Sequence, residues 1–404
     1  MNICVIGGGA SGMAAALAAA ENPDVRVTLL ERQSRLGRKL QATGNGRCNL
    51  TNMLASQGGY HGSDPAFSGP ALKGFDPEET IRWFRGLGLF TVVEQSGKVY
   101  PYSDQANSVV DILRFALEKE NITVITDFEV KTAGKNGDKF VVSDGEQTVE
   151  CDKLIVACGG IAGSKLGGTM SGYRLLAKFG HRATRLRPAL VQLKSSWGGV
   201  ASLKGVRANC RAEIRCNDVI HRESTGEIQF TDYGLSGPVI FEVSRDACAA
   251  SGEWKCVLDL LPEFTEEELQ AELQCRKERN MPMEELLTGV LHNRLGRVLV
   301  KAAGVRGSDR TGNLTQQNID EICRAVKSFE ISLTEPMGMD NAQVTAGGVM
   351  TDQFCADTME SNLVPGLYAC GEVLDIDGDC GGYNLQWAWS SGRLAGMSAG
   401  RKTL

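Results

Sequence analysis

The feature that most constrains this chain is a glycine loop held between two apolar strands near its N-terminus. Asn2 to Ile6 reads as a short buried strand, Gly7-Gly8-Gly9-Ala10-Ser11-Gly12 follows, and the alanine-rich run Met13 to Ala20 is a strong helix former. A second strand, Val25 to Leu30, ends in Glu31. This is G-x-G-x-x-G between strand and helix, with an acid 19 residues beyond the third glycine, the pattern of a dinucleotide-binding βαβ unit. The three glycines are expected to serve different ends. Gly7 permits the tight turn, Gly9 lets the backbone approach a pyrophosphate, and Gly12 lets helix and strand pack closely. Ala10 and Ser11 open the helix, where free amides and the positive end of the dipole hold phosphate charge. Glu31 is expected to accept from a ribose 2′-hydroxyl, which disfavours a 2′-phosphate.

Composition narrows the class. The 404 residues suggest two or three domains, and a 42% apolar share is enough for a sizeable core. A net charge of -6 argues against a generally basic nucleic-acid binder. Glycine stands out at 48 residues against only 11 prolines, so the glycines must serve turns and close backbone approaches. The 13 cysteines show no C-x-x-C or zinc spacing and there are only 4 histidines, so no metal is expected, and the thiols read as buried and reduced in a cytoplasmic protein. No apolar run approaches the roughly 20 residues of a bilayer span, and no secretory leader pattern opens the chain, so no membrane partner is expected.

Three further segments bear on the cofactor. Cys151 to Gly160 is an apolar strand running into a glycine pair, and it resembles the second fingerprint of two-dinucleotide-binding-domain flavoproteins. Val364 to Asp375 resembles their C-terminal FAD motif, in which a strand ends in Gly371 and an acid, Glu372, with Asp375 beside it. Gly381-Gly382 opens a helix whose first amides are expected to face the flavin pyrimidine or the pyrophosphate. One site is thus built from both ends of the chain. A second G-x-G-x-x-G for a separate nicotinamide domain is absent, and so is the C-x4-C pair of disulfide reductases.

The run Gly37-Arg-Lys-Leu-Gln-Ala-Thr-Gly-Asn-Gly-Arg-Cys-Asn-Leu-Thr-Asn52 resembles the signature of the BaiN/RdsA-type NAD(P)/FAD-dependent oxidoreductases. Gly97 to Ser103, Phe230 to Pro238 and Val344 to Val349 agree with it, while Asn45 replaces a frequent glycine and Asp232-Tyr233 a frequent histidine. The resemblance implies an α/β fold: a Rossmann-like FAD-binding domain of the two-dinucleotide-binding-domain flavoprotein type (1–190 and 340–404), with an inserted small β-barrel (191–262 and 328–339) and a helical subdomain (263–327). The barrel stretch reads mainly as strands, with Cys210, Ala212, Ile214 and Cys216 alternating with charged residues. Thr265 is an expected N-cap, Pro282 suits a first helical position, and an amphipathic helix is expected near Asp104–Glu120.

The activity implied is reduction of an activated carbon–carbon double bond, with NADH or NADPH as donor and hydride passing by way of flavin N5. The acceptor is expected to be a small molecule, an enone or dienone of steroid or bile-acid type. The alternative is dihydrouridine formation in ribosomal RNA, and a third reading is a non-catalytic FAD-binding protein. Expected cofactor contacts are Gly7, Gly9, Ala10, Ser11, Gly12, Glu31, Arg32, Arg38, Lys39, Asn45, Gly46, Arg47, Asn49, Val130, Gly159, Gly371, Glu372, Asp375, Gly381, Gly382, Tyr383, Asn384 and Gln386. Arg47, Cys48 and Tyr100 are the catalytic candidates, each against a competing structural reading: pyrophosphate contact, packed thiol and half-buried aromatic. His61 reads as a loop residue, and Trp387 and Trp389 as core. Two basic runs free of acids, Arg32–Ser63 and Ile161–Arg187, remain open as phosphate, RNA or solvated surfaces, whereas the helical stretch balances its charges.

Overall fold

A five-stranded parallel sheet organises the first of two compact units in the computed structural model, which describes residues 1–247 and 252–401. The strands lie in the order Leu367–Ala369, Lys153–Val156, Asn2–Ile6, Arg26–Leu30, Ile122–Ile125. The central strand is thus the N-terminal one, flanked by Arg26–Leu30 and Lys153–Val156, and the strand from the far end of the chain, Leu367–Ala369, lies at one edge beside Lys153–Val156. Near-continuous apolar strands are what a parallel sheet covered on both faces requires; Ile3, Cys4 and Val5 are at most 1% exposed. This unit comprises Met1–Arg187 and Gln343–Leu404.

Helices Ala10–Ala19 and Tyr383–Gly400 approach closely where Gly392, Gly396 and Gly400 face Ser11, Ala15 and Ala19. A side chain at Gly392 or Gly396 would run into the carbonyls of Ser11 or Ala15. The expected helix near Asp104–Glu120 is shorter, Ala106–Ala116, since Asp104 is left-handed (φ 56°) and Gln105 forms the N-cap. Trp387 and Trp389 are core residues, 1% and 0% exposed, each donating its ring N–H to a backbone carbonyl (Gly371 and Leu50).

The second unit, Pro188–Ala342, is built on a closed six-stranded barrel. Cys210, Ala212, Ile214 and Cys216 point into its core, all at most 7% exposed. Phe329–Pro336 closes the barrel by pairing with Trp254–Asp259 and Leu193–Ser195. Within this mainly β stretch lies one helix, Pro238–Ser244, started by left-handed Gly237 (φ 99°) and a proline at the first turn. Helices Glu266–Glu278, Asn293–Ala302 and Gln316–Lys327 belong to the same unit. Thr265 caps the first of them in a capping box with Glu268, but Pro282 precedes only a short 3-10 turn, Met283–Glu285. Among the described residues no helix is long and apolar enough to cross a membrane.

Candidate dinucleotide site

The six-residue loop after the first strand divides its glycines by cause. Gly7 is left-handed (φ 111°) and any side chain on it would meet the Ala157 carbonyl, while one on Gly12 would strike the Gly7 carbonyl. Both are therefore demanded by the protein itself. Gly9 is different: its φ of -81° suits any residue, and a Cβ there would have nothing within 4 Å. Glycine at this position keeps open a space bordered by the helix N-terminus, which is the cradle a pyrophosphate would take. Gly46 and Gly159, both left-handed, also border open space. Ala10 sits at this helix start half-buried, and Ser11 is buried against Gly371, 5% exposed.

Glu31 is already in use as an organiser. One carboxylate oxygen accepts from Gly8 N–H and the other from Gln33 N–H, both at 2.8 Å. Its carbonyl accepts from Phe128 N–H, which brings in the segment carrying Val130, a core residue 8% exposed. Arg32 is half-buried, and Arg38 is exposed and donates to Gln33.

The C-terminal motif is tied to the N-terminal one by charge. Lys39 donates to Glu372 at 2.8 Å, and the other Glu372 oxygen accepts from Thr345 N–H. A side chain at Gly160 would collide with that same carboxylate. Asp375 is 2% exposed and accepts from the N–H and hydroxyl of Ser63. Segment Tyr60–His61 then runs antiparallel to Asp377–Gly378.

The turn that follows opens helix Tyr383–Gly400 and is fixed from beneath. Asn384 clamps Gly378 through both N–H and carbonyl, and Asn52 donates to the Gly381 carbonyl at 3.0 Å. Gly381 and Gly382 are both left-handed, and a side chain on Gly382 would meet the Thr51 backbone. Tyr383 packs edge-on against Tyr60, whose hydroxyl donates to the Tyr383 carbonyl. Asn49 is 7% exposed, and its Oδ1 is buried with no hydrogen-bond partner. An unpaired buried amide oxygen costs about 1–3 kcal/mol unless a ligand donates to it. Open Gly9 and unpartnered Asn49 Oδ1 are two places where the protein's own packing is incomplete, and a dinucleotide carrying a polar ring system fits both.

Several expected site residues are engaged by the protein's own packing or stand at its surface. Gln386 is 0% exposed: it accepts from Thr51 and Thr80 and donates to the Phe75 carbonyl and Ser390, so it ties four segments together and cannot touch a ligand. Cys48 is likewise 0% exposed, with its thiol pushed up to about 12 by burial. It is the packed thiol of a left-handed turn (φ 61°) rather than a reactive group. Arg47 lies over the Tyr100 ring, 3.9 Å from its centroid, and pairs with Glu94 and Asp104. Burial foremost raises the Tyr100 hydroxyl, which keeps it protonated. Asn45 and Gly46 form an exposed turn.

His61, read from sequence as a loop residue, is strand-paired, and its Nε2 lies 2.7 Å from Asp379. The two are 318 positions apart, so no local pattern joins them. Lys98 and Thr345 escaped notice for the same reason. Among the described residues no group of three or more His, Cys, Asp or Glu is placed to hold a metal ion.

Comparison with known proteins places these features in context. The model of the HI0933-like protein Rossmann domain matches residues 1–398. The chain is 39% identical over 406 residues to a 3-dehydro-bile acid delta(4,6)-reductase of Clostridium scindens, covering 99% of each. It is 32% identical to the ribosomal RNA dihydrouridine synthase of Escherichia coli, covering 96% of this chain and 95% of that one. The crystal structure of 3-ketosteroid delta1-dehydrogenase from Sterolibacterium denitrificans shares the fold, with a TM-score of 0.52 at 12% identity over 98% of this chain and 99% of that one.

Proposed function

The chain belongs to the HI0933-like Rossmann-domain family, and from that premise we propose that it is an FAD-dependent oxidoreductase that uses NADH or NADPH to saturate an activated carbon–carbon double bond of a small molecule. The observation that carries the reading is the meeting, in one unit, of the open Gly9 cradle, the unpartnered Asn49 and the glycine pair that starts the last helix. Bound FAD supplies two-electron hydride chemistry that no side chain provides. The chain's own residues do the rest. The Gly9 loop and the helix beginning at Ala10 hold the pyrophosphate, Glu31 orients the loop and takes the ribose, and Asp375 and Glu372 line the sugar-alcohol chain. His61, oriented by Asp379, is the proton source, because saturating a double bond with one hydride leaves one proton to be delivered to the neighbouring carbon. Relatedness at 39% over nearly the whole chain to a bile-acid reductase supports an enone or dienone of steroid type as the acceptor.

Anaerobic addition of NADH or NADPH to the FAD-loaded chain, followed by a 3-oxo-Δ4,6 bile acid, tests this directly. Bleaching by the nicotinamide and return of colour with a saturated product are expected. Bleaching without return removes the proposed acceptor, and no bleaching with either nucleotide removes the nicotinamide-fed reaction.

One observation favours ribosomal RNA as the acceptor instead. The run Ile161–Arg187 holds Lys165, Arg174, Lys178, Arg182, Arg185 and Arg187, and none of them forms an ion pair among the described residues. Arg174, Arg182 and Arg185 are exposed. Under this reading, charge reversal at Arg182 and Arg185 weakens RNA binding and flattens its salt dependence; RNA binding unchanged by it removes the reading.

A further inference from the structure

The Gly97–Ser103 segment contributes a cation that the expected site did not include. Lys98 lies in strand Lys98–Pro101, paired with Asn52 in the two-residue strand on which the Gly381–Gly382 turn rests. Its aliphatic stem crosses that turn: a Cβ on Gly381 would stand 2.8 Å from Lys98 Cε and 3.6 Å from Asn49 Nδ2. Lys98 is half-buried, yet among the described residues its ammonium makes no ion pair and no hydrogen bond. Two cations of the Gly37–Asn52 run are paired, Lys39 with Glu372 and Arg47 with Glu94 and Asp104. A shielded cation without an anion, the side chain of Asn49 with its buried Oδ1 unpartnered, and the amide-bearing start of an 18-residue helix therefore converge on one turn. All three are suited to negative charge: the ammonium by its full charge, the first helical N–H groups because they lack intrahelical acceptors, and the Asn49 amide through its Nδ2 donors. Asn49 Oδ1, left bare, suits a ring N–H in the same plane.

We infer that Lys98, with Asn49 and the first turn of helix Tyr383–Gly400, forms a positive pole for the pyrimidine edge of the bound flavin and tunes its reduction potential. The inference rests on the FAD reading given above. Two-electron reduction leaves the isoalloxazine with negative charge on its pyrimidine side at neutral pH, so a cation there favours the reduced form. Sulfite reads the same property without any acceptor, because it adds to the oxidised ring and leaves negative charge at the same edge.

The test uses the full chain loaded with FAD, and compares wild type with Lys98→Met, Lys98→Gln and Lys98→Arg. Potentials are measured by equilibration with a redox dye, and sulfite affinity by bleaching of the flavin band. Loss of the charge in Lys98→Met or Lys98→Gln is expected to weaken sulfite binding about tenfold. The same tenfold change in the two-electron equilibrium lowers the potential by about 30 mV, and Lys98→Arg restores most of both. Lys98→Gln, which keeps a polar head, is the variant read if Lys98→Met fails to fold. Flavin-loaded variants with unchanged potential and sulfite affinity overturn the inference while leaving the FAD reading intact. Weaker FAD binding with no change in potential also overturns it, since Lys98 would then be a phosphate contact. A folded wild type that takes up no FAD overturns the FAD reading and this inference with it.

Discussion

Two glycine-rich turns receive the ends of one proposed cofactor, and they are built on opposite plans. The loop Gly7–Gly12 is fixed mainly by backbone: a side chain on Gly12 would meet the loop's own Gly7 carbonyl, and one on Gly7 the carbonyl of Ala157 at the end of the neighbouring strand. The turn Asp377–Gly382 is held, besides the nearby Asn384, by groups from far away. Asn52 holds its carbonyl, Thr51 lies beneath Gly382, Lys98 crosses Gly381, and His61 pairs with Asp379. A turn determined by its own backbone can be recognised in a sequence, whereas one determined by partners some 300 positions away cannot.

The largest effects are expected within the first loop. Gly12→Val is expected to cost more than about 3 kcal/mol, because the helix must be driven off the strand, and it should yield aggregated or flavin-free protein. Gly9→Ala should leave the apoprotein's unfolding midpoint in urea within about 0.5 kcal/mol of wild type, since its Cβ meets nothing, yet weaken FAD binding at least tenfold. If both variants lose stability alike, the division of the loop into protein-required and ligand-required glycines fails.

The second turn is sharpened by Gln386→Ala. Removing a side chain with four hydrogen-bond partners leaves buried groups unpaired. It should lower stability in urea by about 2–3 kcal/mol while FAD affinity in native buffer stays within a few-fold. A large affinity loss without destabilisation would return Gln386 to the cofactor's surface.

Alkaline pH tests the packing around both turns. Burial raises Cys48, Cys158 and Cys370 from 9.0 to about 12. Between those values the folded thiols keep protons that the unfolded chain has released, so their contribution to stability is complete below pH 9.0 and is lost as pH rises toward about 12. Urea melts between about pH 9 and 10.5 should lose on the order of 1–2 kcal/mol per buried thiol, and Cys48→Ser should reduce that slope. A flat profile would mean that the thiols are accessible in the folded state.

The smallest effect is expected at Arg47. Its partners Glu94 and Asp104 are partly exposed, and such pairs contribute about 1 kcal/mol or less. Arg47→Ala should therefore melt almost like wild type, and flavin reduction by NADH or NADPH should change less than threefold. A drop of more than tenfold would make Arg47 part of the reaction rather than a brace on Tyr100.

What could be read in advance follows the same division. Strand Asn2–Ile6, the helix after it, the strand ending before Glu31 and the alternation of Cys210 to Cys216 are local patterns, and each takes its expected form. The likeness that recognised the Gly37–Asn52 run could not tell which of its residues face outward. Cys48 and Asn49 are neighbours in sequence, both buried, and only the unpaired Oδ1 of Asn49 distinguishes the one with work left to do. His61 sits among glycines that mask its strand, and its partner Asp379 lies in the last thirty or so residues.

Both chain ends are proposed to grip one FAD. Titrating flavin-stripped, folded full-length protein with FAD, followed by flavin fluorescence, tests it most directly. Saturation at one FAD per chain with micromolar or tighter affinity is expected. A folded protein that stays colourless and leaves the fluorescence of added FAD unchanged contradicts it.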